Sequence, residues 1–96
     1  MQKKKLIPLP YFCSLYEVEV SFVARLKELG LVQIKTLEED QFITNDSIYE
    51  LEKMIRMHQD LEVNPEGIDV IFNLLEKVNS MHLELTKLRN KLNLYE

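Results

Sequence analysis

Residues 64–95 read NPEGIDVIFNLLEKVNSMHLELTKLRNKLNLY, and apolar side chains recur in this stretch at alternating spacings of three and four. The recurring residues are Ile71, Leu74, Val78, Met81, Leu85, Leu88, Leu92 and Tyr95. This spacing is the heptad pattern of a helix that packs along its whole length. We therefore predict a long helix over residues 64–96, and we term its eight recurring residues the seam.

The start of this helix is marked by its first four residues. Pro65 suits the first helical position, where its missing N–H costs no hydrogen bond, and Asn64 can cap the free amides. Gly67 costs about 1 kcal/mol inside a helix. Two explanations stay open for Gly67: another backbone approaches this turn closely, or the residue is a tolerated imperfection.

The seam predicts self-association. From Pro65 to Tyr95 the helix is roughly 45 Å long, more than the rest of so short a chain can cover. We predict a homodimer with an interface of Ile71, Leu74, Val78, Met81, Leu85, Leu88 and Leu92. An antiparallel pairing with Lys77 opposite Glu84 and a parallel pairing with Glu84 near Arg89 both match opposite charges.

The first part of the chain predicts a helix-turn-helix. Residues 5–9 are apolar except for Lys5 and are followed by Pro10, which favours an extended arm or an edge strand. A short helix over residues 11–16 is expected next. After a tight turn, Ser21 can cap a second helix that Gly30 ends.

A hairpin and a third helix follow. Residues 32–35 and 41–44 each alternate between apolar and polar side chains, which predicts two paired strands, or a wing. Ser47 and Glu50 have the spacing of a capping box, so we expect the third helix to begin there and to stop before Asn64.

The predicted fold is therefore mainly α. It consists of a winged helix-turn-helix with a small two-stranded wing, followed by a long C-terminal coiled-coil helix. We predict two units: residues 1–63 form the winged domain with its N-terminal arm, and residues 64–96 form the dimerisation helix.

Length and composition argue against an enzyme. The chain has 96 residues, enough for one small domain whose core leaves little room for an enclosed active site. No segment reaches the length of a membrane span, and the N-terminal apolar stretch is broken by Pro8 and Pro10, unlike a signal core. A single cysteine forms no internal disulfide. We therefore expect a cytoplasmic protein with no membrane partner.

Residues that could carry chemistry are few. His58 and His82 are the two histidines, and neither has a cysteine or carboxylate at metal-ligand spacing. Cys13 has apolar neighbours, which indicates packing rather than a reactive thiolate. We expect no catalytic residue, no metal and no cofactor.

Charge favours a protein partner. The 12 basic and 16 acidic residues give a formal charge of −4, and residues 38–69 hold ten acids against Lys53 and Arg56. Such a segment is either a solvated face or a docking surface for a basic partner. From charge alone, the predicted partner-binding residues are Glu38, Glu39, Asp40, Asp46, Glu50 and Glu62.

Direct DNA binding is the alternative role, because a helix-turn-helix usually places basic residues of its second helix in the major groove. The second helix here offers Arg25 and Lys27 but also Glu28, and the wing tip at residues 38–40 is acidic. Phosphates would meet carboxylates there, so this role ranks second.

Several strings resemble the chaperone-modulator (CbpM-like) family, relatives of MerR-type winged helix-turn-helix proteins. They are Phe12-Cys13, ELGLV at residues 28–32, FITND at 42–46 and, most specifically, HQDLEVNPEGI at 58–68. The resemblance covers roughly residues 7–92.

The resemblance implies a small bacterial cytoplasmic protein that binds the J-domain of a DnaJ-like co-chaperone and inhibits its action on Hsp70. J-domains carry a basic helix, and an acidic competitor fits such a helix. The relation to MerR-type proteins implies that the long helices pair antiparallel. A MerR-like transcriptional regulator is the alternative function.

Overall fold

A computed structural model of the chain describes residues 5–94. The elements in order are β1 (Leu6–Pro8), α1 (Leu9–Leu15), α2 (Val20–Glu28), β2 (Lys35–Leu37), β3 (Asp40–Thr44), a 3-10 turn (Asn45–Ser47), α3 (Ile48–Leu61) and α4 (Pro65–Leu94). This order confirms the predicted mainly α winged helix-turn-helix with a long C-terminal helix. Met1 to Lys4 of the predicted arm and Tyr95 of the seam lie outside the described residues.

The wing hairpin is part of a three-stranded antiparallel sheet with the order β1-β3-β2. The predicted arm forms an edge strand in which Ile7 pairs with Ile43. The first strand of the hairpin is displaced from the predicted residues 32–35, since β2 spans Lys35–Leu37, and β3 begins at Asp40, one residue earlier than predicted. Leu31 donates its N–H to Leu26 O at 2.9 Å, and Val32 is buried in the core. These two residues therefore pack with the helices, and strand pairing begins only at Lys35.

A two-residue turn closes the hairpin. Glu38 and Glu39 have φ values of 48° and 75°, and Leu37 pairs with Asp40. Positive φ at both central residues matches the right-handed twist of the strands, although Asn and Gly are the usual residues there. This turn presents neighbouring carboxylates at the end of the sheet.

The helix-turn-helix is formed by α1 and α2. The turn between them places Glu17 at φ 52°, and Val18 N–H donates to Cys13 O at 3.0 Å. The Ser21 cap is wrong: α2 begins at Val20, two residues earlier than a Ser21 cap predicts, and Glu19 is its N-cap. The Ser21 hydroxyl donates to the Glu19 carboxylate at 3.2 Å. Gly30, at φ 78°, follows the end of α2 as predicted.

The capping box at the third helix is also wrong. The 3-10 turn brings the chain into helical geometry before α3, so Ser47 already has φ −88° and ψ −13° and makes no cap hydrogen bond. Its hydroxyl lies 3.1 Å from the Thr44 hydroxyl instead. The helix α3 ends at Leu61, and Glu62 follows in the left-handed region at φ 56°.

The core lies between α1, α2, α3 and the first turns of α4. Its buried side chains are Leu9, Phe12, Cys13, Phe22, Val23, Leu26, Val32, Ile43, Leu51, Met54, Ile55 and Ile68. Ile68 is the single buried residue of α4 within its described length. The helix therefore docks by one end and projects from the domain.

The start of α4 forms as predicted. Asn64 Oδ1 accepts the Gly67 N–H at 2.8 Å, and Asn64 O accepts the Ile68 N–H at 3.0 Å. A Cβ at position 67 would lie 2.8 Å from Val63 Cγ1 and 3.0 Å from Asn64 Oδ1. Gly67 is therefore explained by the approach of two side chains, not by another backbone as suggested. The division into units at residues 63 and 64 stays a prediction.

Candidate protein-interaction surfaces

The seam is exposed along the projecting helix. Ile71 is half-buried beside the domain, whereas the exposed fraction of the seam residues from Leu74 to Leu92 runs from 47% at Leu85 to 67% at Met81. Val78, Met81, His82 and Leu85 line a shallow apolar depression of about 350 Å³. The radius of gyration is 17.7 Å, well above the roughly 12–13 Å of a compact domain of this length. These features describe an apolar helix face with nothing packed against it from residues 5–94.

The six predicted partner-binding acids do not form one cluster. Glu38, Glu39 and Asp40 lie together at the wing turn, and Asp46 lies in the 3-10 turn. Glu50 is in the first turn of α3, and Glu62 follows the other end of this helix, roughly 20 Å away. All six residues are exposed.

Some of these acids line two concave areas of the surface. Glu39 and Asp40 line a depression of about 460 Å³ whose other residues include Pro8, Val20 and Phe42. The second area is a groove of about 390 Å³ between the turn after α2, the start of α3 and the first turns of α4. It contains Glu50.

Sequence reasoning did not assign two residues of this second groove to partner binding. Asp69 and Glu76 line it together with Glu50. The signal for this pair was their spacing of seven residues, which places two side chains on one helix face two turns apart. Tertiary packing decides which face of α4 lies beside α3. The sequence alone therefore did not predict that Glu50 lies near Asp69 and Glu76.

The titratable groups of the core serve packing. Cys13 is buried, and burial raises the pKa of its thiol, which disfavours a nucleophilic thiolate. His58 stacks on Phe22 with ring centroids 4.2 Å apart, and its Nδ1 lies 3.0 Å from Val63 O. Within residues 5–94 no three His, Cys, Asp or Glu side chains are grouped so that they could hold a metal ion. No helix of this described part is long and apolar enough to cross a membrane.

Comparison with known proteins gives the family. A sequence model described as MerR HTH family regulatory protein matches residues 7–90, which is most of the chain. The chain belongs to this MerR family. The chaperone modulatory protein CbpM of Pseudomonas entomophila (strain L48) is 26% identical over 81 residues, covering 83% of this chain and 80% of that protein. No solved structure matches. The resemblance to MerR-type and CbpM-like proteins is thus confirmed.

The second helix of this MerR-family chain has its arginine engaged by carboxylates. Arg25 Nε lies 2.7 Å from Glu66 Oε1 on α4, and Arg25 Nη1 lies 2.8 Å from Glu28 Oε2. The hydrogen bond from Arg25 lowers the pKa of the Glu66 carboxyl. This arginine therefore approaches a nucleic-acid phosphate only with two carboxylates beside it.

Proposed function

We propose that this protein is a non-enzymatic cytoplasmic modulator that binds the J-domain of a DnaJ-like co-chaperone and inhibits its co-chaperone activity on Hsp70. A relative that matches most of the chain is named a chaperone modulatory protein. The MerR-family fold supplies a small helical domain whose described concave areas are open to solvent, which favours a binding role.

The exposed carboxylates are the structural observation that carries this proposal. Acids lie at the wing turn and in the groove between α3 and α4, while Arg25 is held by Glu28 and Glu66. A surface of this sign attracts a basic helix and repels a phosphate backbone. It therefore supports a basic protein partner rather than DNA.

The proposed modulator is a homodimer joined through the seam, and this proposal accounts for the exposed apolar face of α4. An antiparallel pairing that sets Lys77 opposite Glu84 of the second copy gives two equivalent ion pairs, as two-fold symmetry requires. A parallel pairing would bring Glu84 near Arg89 instead.

The function is tested by the ATPase rate of Hsp70 stimulated by the full-length co-chaperone of the same organism. Adding this protein is expected to return the stimulated rate to the basal rate, because the J-domain is occupied. Hsp70 without co-chaperone serves as the control and should be unaffected. An unchanged stimulated rate at about 100 μM protein, far above regulatory affinities, would refute the proposal.

DNA binding is the second candidate function, and one observation favours it. Lys27 of α2 and Lys35 of β2 line a concave area of about 470 Å³, with no carboxylate among its described lining residues. A mobility shift with random duplex at low salt tests this candidate, since phosphate-driven binding is strongest there. A shift that Lys27→Glu abolishes would favour DNA binding over co-chaperone binding.

A further inference from the structure

The groove between the turn after α2, the start of α3 and the first turns of α4 has an apolar floor. Met54 is buried at its base, and Leu29, Leu31 and Phe72 are half-buried around it. The volume of about 390 Å³ is open to solvent along one side of α4. This shape admits the ridge of side chains that a partner helix presents. We term it the α3–α4 groove.

Carboxylates stand on both walls of the α3–α4 groove. Glu50 stands on the α3 wall, and Asp69 and Glu76 stand on the α4 wall. No Lys, Arg or His is among its described lining residues. Glu50 has Lys53 Nζ at 3.9 Å, and Asp69 accepts a hydrogen bond from the Asn73 amide at 3.1 Å. Within the described chain, no cation pairs with Asp69 or Glu76.

The spacing of these acids fits a helix laid along α4. Asp69 and Glu76 are two turns apart, roughly 10 Å, which is also the spacing of lysines or arginines seven residues apart on a partner helix. The wing depression offers two adjacent acids on a single hairpin, Glu39 and Asp40. The α3–α4 groove instead presents acids from two helices on either side of an apolar floor.

The α3–α4 groove and the seam can be occupied together. At about 100° per residue, the groove residues of α4 lie roughly 160° around the helix axis from the mean direction of the seam. A second copy of this chain along the seam therefore leaves Asp69, Phe72 and Glu76 accessible.

We infer that the α3–α4 groove is the docking site for a basic amphipathic helix of the partner protein. This inference rests on the proposed function, which identifies the partner as the co-chaperone. The partner helix places its apolar ridge over Leu31, Met54 and Phe72 and its cations beside Glu50, Asp69 and Glu76.

The test is a titration of the full-length co-chaperone into this protein and its variants. The double variant Asp69→Lys, Glu76→Lys is expected to raise the Kd about 10-fold or more, mainly through faster dissociation, because cations then face cations across a desolvated contact. The matched control is Glu17→Lys, Asp60→Lys at two exposed positions that do not line the groove, which changes the charge equally and should alter the Kd less than about 3-fold. Far-UV circular dichroism checks that each variant is folded.

A further substitution and an NMR map of the contact surface test the groove independently. Asn73→Arg, at an exposed position of the groove, adds a cation without removing an acid and is also expected to weaken binding. When the co-chaperone is added to the isotope-labelled wild type, the NMR amide signals of residues 29–31, 50, 69, 73 and 76 should shift. If the co-chaperone binds and the groove variants bind equally well, the groove is overturned and the proposed function stands.

A peptide probe separates the two remaining outcomes. It is a helical lysine-leucine peptide with an apolar stripe, compared with its glutamate-leucine counterpart. If the co-chaperone does not bind but the lysine peptide shifts the groove amides, the proposed function fails and the groove stands as a docking site for a basic helix. If neither binds, both are overturned.

Discussion

Tyr16 fastens the helix-turn-helix to α3. Its hydroxyl donates to Glu52 Oε1 at 2.5 Å, its ring stacks on Phe12, and Gln59 Nε2 donates to its carbonyl oxygen at 2.9 Å. The hydrogen bond to Glu52 also raises the pKa of the Tyr16 phenol. A raised pKa means that this stabilisation is present below the ordinary pKa of 10.0 and is lost as the pH rises through the folded-state value.

We expect Tyr16→Phe to lower the free energy of unfolding by about 1 kcal/mol, the usual net worth of such a hydrogen bond. The ring contact with Phe12 is kept, so the change isolates the hydroxyl. Tyr11→Phe is the matched control because the Tyr11 side chain is exposed. Urea unfolding at neutral pH measures both variants, and equal midpoints would show that the hydrogen bond contributes nothing.

The close contacts around Gly67 lead to a second prediction for a single residue. Alanine gains about 1 kcal/mol of helix propensity, but its Cβ would meet Val63 Cγ1 at 2.8 Å and the capping oxygen of Asn64 at 3.0 Å. We expect Gly67→Ala to destabilise the protein by about 1–2 kcal/mol, as overpacking does. In a Val63→Ala background the same change should be neutral or stabilising. A double-mutant cycle by urea unfolding measures this coupling, and additive effects would contradict the explanation.

At the scale of elements, α2 and α4 are joined by the ion pair between Arg25 and Glu66. Because the pKa of Glu66 lies below its ordinary value of 4.5, the pair stabilises the fold above that pH, and this contribution is lost as the pH falls through the lowered pKa. We expect the Glu66→Gln variant to be less stable than the wild type at about pH 6. The two proteins should be equally stable at a pH low enough to protonate Glu66 of the wild type. Urea midpoints across this range provide the measurement. Asp60→Asn, at an exposed site without an ion pair in the described chain, should show no such convergence.

The projecting part of α4 carries its own prediction. Leu85→Lys places a charge on the seam and should convert a dimer into a monomer or an aggregate, because burial of an unpaired charge is costly. Leu83→Lys is the matched control: Leu83 is 59% exposed, and helical geometry places it on the side away from the seam. Light scattering at tens of micromolar measures the mass. A wild-type monomer, or equal loss in both variants, would contradict dimerisation through the seam.

For the whole molecule, the formal charge of −4 acts at long range. We expect association with the co-chaperone to slow as salt rises and the Debye length falls from about 10 Å to about 3 Å. At low salt, a variant in which Glu38, Glu39 and Asp40 are all replaced by lysine should associate more slowly than the wild type. Its dissociation rate should be nearly unchanged, because exposed charges at the rim of an interface act mainly on association. Stopped-flow mixing at two salt concentrations separates the rates. Salt-independent association would exclude steering by these acids.

The sequence by itself determined the long helix, its Asn64 cap and the order of the elements. These features depend on local periodicity and on capping residues, which neighbouring positions specify. Local spacing was a weaker guide to where α2 and α3 begin. Ser21 and Ser47 have cap-like spacing, but the preceding turn and the 3-10 turn shift where their helices begin.

Only the tertiary structure decided which charges meet. Arg25 and Glu66 are 41 positions apart and form a pair because α4 docks on α2. Glu50 joins Asp69 and Glu76 in one groove for the same kind of reason, while Glu62 is left at the far end of α3. Composition counts carboxylates along the chain, but the docking of helices in three dimensions sets which of them share a surface.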